Sequence, residues 1–125
     1  MNQQKTVLVV EDEAIVRSDI AEHLAARGYA VLEAANAAEA FDVLEDQSSV
    51  DFILTDIDMP GIVDGLTLAK FAAERWPNLR MVVISGQRQA QATDLPDGAT
   101  FLSKPHDLDA ILGALEDRDE HTPAL

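Results

Sequence analysis

Short apolar runs that alternate with helical spacing constrain this chain more than any other feature. Thr6-Val7-Leu8-Val9-Val10 is continuous and β-branched. A strand with one wet face would alternate in polarity, so this run suits a strand covered on both faces of a parallel sheet. Phe52-Ile53-Leu54 and Met81-Val82-Val83-Ile84 have the same character, inside strands expected over Val50–Thr55 and Leu79–Ile84. Two further strands are expected, over Tyr29–Leu32 and Ala99–Leu102.

Helical patterns fill the intervals. After Glu11-Asp12-Glu13, the residues Val16, Ile20 and Leu24 recur four apart, with Arg17, Asp19 and Glu22 on other faces. Gly28 supplies a left-handed stop. Asn36 and Glu39 have the spacing of a capping box, opening a helix with Ala37, Ala40, Phe41 and Leu44 as its apolar positions. Gly65–Trp76 predicts a third helix, with Leu68, Phe71 and Ala72 inward and Pro77 ending it. Gln87–Thr93 is polar and short enough for only one or two turns, and Leu95-Pro96-Asp97-Gly98 is a turn. Asp107 is expected to cap a last helix bearing Leu108, Ile111, Leu112 and Leu115, and Asp119–Leu125 to fray.

Five strands alternating with helices predict an α/β fold, a doubly wound five-stranded parallel sheet with helices on both faces. Right-handed crossovers make the flavodoxin-like strand order 2-1-3-4-5 the economical topology. The 125 residues suit a single domain over 1–125, with its core over about 5–118.

Composition narrows the partners. Acidic residues outnumber basic ones 23 to 9, and a formal charge of −14 repels nucleic acid and anionic membranes. Absence of cysteine excludes thiol catalysis, disulfides and thiolate metal sites. No apolar run approaches the roughly 18–20 residues that span a bilayer. Met1-Asn2-Gln3-Gln4-Lys5 leads quickly into acids and makes no secretory signal, so a cytoplasmic location is expected. His23, His106 and His121 share no ligand spacing, and Arg75 and Arg88 are expected to be solvated.

Chemistry-bearing side chains end four of the expected strands. Glu11 and Asp12 follow the first, Asp56 ends the third, Ser85 the fourth and Lys104 the fifth. In a parallel sheet these ends share one edge, where ligands gather. Singly, Asp12 and Asp56 suit turns or caps, and Ser85 suits a strand terminator. Jointly, three carboxylates repel, a pair about 4 Å apart costing on the order of 4 kcal/mol at an effective dielectric of about 20. One lysine does not neutralise them, whereas a hard divalent cation such as Mg²⁺ or Mn²⁺ does. A carboxylate beside such an ion and a lysine can accept a phosphoryl group.

In these pieces the sequence resembles a receiver domain of the two-component response regulators. The resemblance is carried by Glu11-Asp12, by Asp56-Ile57-Asp58-Met59-Pro60, by Ser85-Gly86 and by Phe101-Leu102-Ser103-Lys104-Pro105, in that order and spacing. It implies that Asp56 is the phosphoacceptor, and that Mg²⁺ is held by Glu11, Asp12, Asp56 and the backbone carbonyl of Asp58. It further implies that Ser85 and Lys104 bind the phosphoryl group, that Ser85 and Phe101 switch position, and that the bond preceding Pro105 is cis. Asp58 and Gln87 would tune phosphoryl lifetime.

Three departures from the family pattern stand out. One extra residue lies between Pro60 and Asp64-Gly65, the interval from Ser85 to Lys104 is shortened, and Phe101 replaces the commoner tyrosine. They imply a bulged loop, a shortened fourth helix with an altered dimer face, and an aromatic switch without a hydroxyl.

The function expected is that of a phosphoaccepting signalling domain rather than an enzyme. Its donor would be a sensor histidine kinase or a histidine phosphotransfer protein, and an unidentified protein its downstream target. With no room for an output domain, transmission would run through phosphorylation-dependent binding, as a monomer or a weak dimer, or the domain would serve as a relay or phosphate sink. A constitutive binding module is a further alternative, against which stands the full set of acceptor-site residues. A haloacid-dehalogenase-like phosphatase would use Asp56 and Asp58 as its acid pair. Its nucleophile motif follows the first strand, however, whereas here Glu11 and Asp12 precede Asp56.

Overall fold

A computed structural model of the protein describes residues 4–46, 50–56, 65–85, 100–103, 111–113 and 115. Its elements follow as β1 (Thr6–Val10), α1 (Ala14–Ala26), β2 (Ala30–Ala34), α2 (Ala37–Asp46), β3 (Phe52–Asp56), α3 (Gly65–Arg75), β4 (Arg80–Ser85) and β5 (Thr100–Ser103). Residues 111–113 are helical again. The strands form one parallel sheet in the order β2-β1-β3-β4-β5, as the alternation predicts. β2 runs two residues further than Tyr29–Leu32, because its register carries Glu33 and Ala34 alongside Val9 and Val10.

The unbroken runs are explained by two cores. Leu8, Val10, Ile53, Met81 and Val83 meet Ala37, Ala40 and Leu44 of α2 and Ala72 of α3 on one face. Val7, Val9, Phe52, Leu54, Val82 and Ile84 meet Ile20 and Leu24 of α1 and Ile111, Leu112 and Leu115 on the other. Successive strand residues point to opposite faces, so a sheet covered on both sides needs apolar residues at every position.

Local signals place the helix ends. Gly28 adopts φ +97°, and the Tyr29 N–H donates to the Leu24 carbonyl at 3.2 Å, closing α1. At the head of α2, the Glu39 N–H donates to Asn36 Oδ1 and the Ala35 N–H donates to Glu39 Oε1, both at 2.9 Å. The box therefore closes one residue earlier than the usual reciprocal pair. Asp51 staples the other end of the sheet, its Oδ2 accepting from the Thr6 N–H at 2.8 Å.

Two helix faces differ from expectation. Val16 is exposed, and the inward stripe of α1 is Ile20, Ala21 and Leu24, headed by half-buried Arg17. Positions 17, 20, 21 and 24 follow the helical repeat more closely than 16, 20 and 24, and the polar end of β1 receives a guanidinium better than an isopropyl group. Phe71 is 52% exposed rather than inward. Ala72 faces the core as expected, joined by Ala73 and Trp76, and Phe71 lies against Phe41 with ring centroids 5.0 Å apart.

Candidate phosphoacceptor site

The candidate site lies at the carboxyl edge of the sheet. Val10 pairs with Thr55, so Glu11 and Asp56, each the next residue, leave neighbouring strands at the same level. Asp56 pairs with Ile84, which pairs with Leu102; Ser85 pairs with Ser103, immediately before Lys104 in sequence. Phe101 pairs with Val83, which pairs with Thr55, one residue back from Asp56. The backbone thus brings Glu11, Asp56 and Ser85 to one edge in adjacent strands. Asp58, Gln87, Lys104 and Pro105 lie outside the described residues. So do the loop after Pro60, the expected turns at Gln87–Thr93, Asp107, Leu108 and the tail.

The acidic loop after β1 is held from several directions. The Glu11 N–H donates to the Ala34 carbonyl at 3.1 Å, which extends the β1–β2 pairing past Val10. The Glu11 side chain is buried, and its Oε2 accepts from the Glu13 N–H at 3.0 Å. That contact orients the carboxylate by tying one of its oxygens to the backbone at the head of α1. Asp12, next in the chain, is exposed. Thr55 is wholly buried directly before Asp56. No three acid or histidine side chains gather in metal-ligand geometry among the described residues.

Arg17 is the participant that no motif marks. Its Nη1 donates to the Glu11 carbonyl at 2.9 Å and its Nε to Glu33 Oε1 at 3.2 Å. Polarity alone assigns Arg17 to a solvated face; the signal that could have placed it is its position at the head of the 17, 20, 21, 24 stripe. Arg75 is exposed, as expected, and it also pairs with Glu45 at 2.8 Å and lies 5.2 Å over the Trp76 ring.

The profile of the response regulator receiver domain matches residues 7–116. The chain belongs to that family. The receiver domain is the phosphoaccepting signalling module of two-component systems, and that is the function of this domain. It is 33% identical over 115 residues to the response regulator receiver protein CpdR of Brucella abortus (strain 2308), covering 90% of this chain and 94% of CpdR. To the sensor kinase CckA of the same organism it is 39% identical over 107 residues, covering 82% of this chain but only 11% of the kinase. A response regulator receiver protein from Sinorhizobium medicae WSM419 superimposes with a TM-score of 0.85 at 28% identity, covering 95% of this receiver and 97% of that chain. No helix among the described residues is long and apolar enough to cross a membrane.

Proposed function

We propose that Asp56 of this receiver accepts a phosphoryl group from a phosphohistidine, supplied by a sensor histidine kinase or a histidine phosphotransfer protein. The observation that carries this reading is the register, in which Asp56 leaves β3 level with Glu11 and one residue short of Ser85 on the adjoining strand. An Asp56 carboxylate oxygen forms the new O–P bond as the donor's P–N bond breaks, and the imidazole departs. Ser85 and Lys104 bind phosphoryl oxygens, the lysine offsetting their charge. Ser85 and Phe101 move when the charge arrives, converting a local electrostatic change into a different binding surface. Asp58 and Gln87 tune how long the phosphoryl group survives.

The donor set fits a hard divalent cation. Glu11, Asp12, Asp56 and the Asp58 carbonyl offer oxygen alone, and the Glu11 carboxylate is already oriented by Glu13. These residues would hold Mg²⁺ or Mn²⁺, which would offset the negative charge of acceptor and phosphoryl group. The domain acts in the cytoplasm as an acceptor rather than a turnover enzyme, and its partner is a further protein that distinguishes the two charge states.

Incubating the chain with Mg²⁺ and acetyl phosphate, followed by intact-mass analysis and peptide mapping, tests the assignment. One phosphoryl adduct on Asp56 is expected, lost in Asp56→Asn and on adding EDTA. Equal labelling of Asp56→Asn, or an unlabelled wild type, overturns it.

A further inference from the structure

We propose that the groove between α2 and α3 docks a basic segment of another protein through an apolar anchor residue. The groove is a cavity of about 610 Å³ lined by Phe41, Asp42, Glu45, Asp46, Phe71 and Arg75. Its aromatic part is the edge-to-face pair of Phe41 and Phe71, with an interplanar angle of 66°. Phe71 has about half its surface in water, and aromatic area of this kind is what interfaces enrich at their anchor points.

Charge selects the occupant. Asp42, Glu45 and Asp46 line the groove, and Arg75 is already engaged by Glu45 and by the face of Trp76. Among the described residues no cation pairs with Asp42 or Asp46. Glu45 and Asp46 lie in the last turn of α2, which carries no basic residue, and Asp42 lies one residue before that turn. The helix dipole is negative there, so carboxylates are placed against the local electrostatic preference. Departures from such local rules are expected where a surface has another use. A lysine or arginine from outside relieves both the acid–acid and the acid–dipole repulsion. A second copy of the chain would bring its own −14 charge and the same acidic rim, so self-association through this groove is opposed. Nucleic acids and anionic lipids are repelled for the same reason.

The groove is also separate from the acceptor edge. In a parallel sheet each crossover helix starts at the carboxyl ends of the strands and runs back. Residues 42–46 and 71–75 belong to the C-terminal halves of α2 and α3, with Phe41 at the middle of α2, so most of the groove lies away from the end of β3. Docking there leaves Asp56 free to react.

The test is a ¹⁵N-resolved NMR titration of the full chain with two synthetic peptides of equal positive charge, an amphipathic Lys/Leu helix and a Lys/Ser sequence. The Lys/Leu peptide should shift resonances of α2 and α3 selectively and bind more tightly than the Lys/Ser peptide. Phe71→Ala should weaken it by roughly tenfold, the scale of losing an interface anchor, while acetyl phosphate labelling stays at the wild-type level. The Asp42→Asn/Asp46→Asn variant should weaken the Lys/Leu peptide likewise, and it keeps the test valid if Phe71→Ala proves unfolded by circular dichroism. Equal affinity for the two peptides, shifts spread over the whole acidic surface, or unchanged binding by a folded variant overturns the proposal. So do concentration-dependent shifts of the same resonances without peptide, which would make a second copy the occupant.

Discussion

Arg17 and Glu33 join the head of α1 to the edge strand β2, with Nε 3.2 Å from Oε1, while the same guanidinium donates to the Glu11 carbonyl at 2.9 Å. One side chain thereby ties three consecutive elements around the acidic loop. Its two contacts differ in strength. The Glu33 side chain is 44% exposed, and exposed pairs contribute about 0–1 kcal/mol. The bond to the carbonyl uses a charged donor in a half-buried setting, where about 1.5–3 kcal/mol is usual. Arg17→Ala should therefore lower the unfolding free energy by about 1–3 kcal/mol in urea denaturation. Glu33→Ala should lower it by less than about 1 kcal/mol. Equal losses in the two variants would show that the ion pair, not the carbonyl contact, is what matters.

Glu11 and Asp12 should separate when stability and metal binding are measured side by side. Glu11 is buried and satisfies the Glu13 N–H, so Glu11→Ala should cost about 1–3 kcal/mol of stability. Asp12 is exposed, and Asp12→Ala should change stability by no more than about 0.5 kcal/mol. If both serve as metal ligands, calorimetric titration should show weakened Mg²⁺ binding in each. An Asp12→Ala variant with wild-type Mg²⁺ affinity would remove Asp12 from the ligand set.

The start of α2 offers a test that does not involve the acceptor site. Asn36 Oδ1 accepts from the Glu39 N–H at 2.9 Å. Removing it in Asn36→Ala should cost about 1 kcal/mol, visible as a lower thermal midpoint by circular dichroism. Asn36→Gly should recover most of that loss, because glycine is itself tolerated at an N-cap. A glycine variant no better than alanine would argue against a capping role.

Helix α1 predicts opposite outcomes for two branched apolar residues that the sequence spaces alike. Leu24 is fully buried, and Leu24→Ala should cost about 2–5 kcal/mol through lost burial and the cavity left behind. Val16 is exposed, so Val16→Ala should stay within about 0.5 kcal/mol of the wild type by urea denaturation. Comparable losses at the two positions would put Val16 back in the inward stripe.

Much of the architecture could be read before any coordinates. Thr6–Val10 and Met81–Ile84 are apolar at every position because both sheet faces are covered, and that pattern alone points to parallel strands between helices. The stop at Gly28 and the cap at Asn36 were equally legible, since each depends on the conformational or hydrogen-bonding capacity of one residue and its near neighbours. The order of strand ends was legible in part, since apolar runs stop at Glu11, Asp56 and Ser85, which the register brings to one edge.

What the sequence by itself determined was therefore the kind and order of the elements, with the strand ends placed to within about two residues, and the arrival of Glu11, Asp56 and Ser85 at the carboxyl edge of the sheet. The tertiary structure decided which way the helices face. Neighbouring helical residues differ by only about 100° in direction, so apolar spacing establishes that a stripe exists without fixing its phase. The phase depends on what the sheet presents beneath it. The Glu11 carbonyl and Glu33 carboxylate draw Arg17 rather than Val16 inward, and the core beneath α3 takes Ala72 and Trp76 while leaving Phe71 in the groove beside Phe41. Strand register has the same origin. Only the pairing of Val10 with Thr55 and of Asp56 with Ile84 puts Glu11 level with Asp56 and sets Ser85 one residue beyond it, because those contacts join segments far apart in the chain.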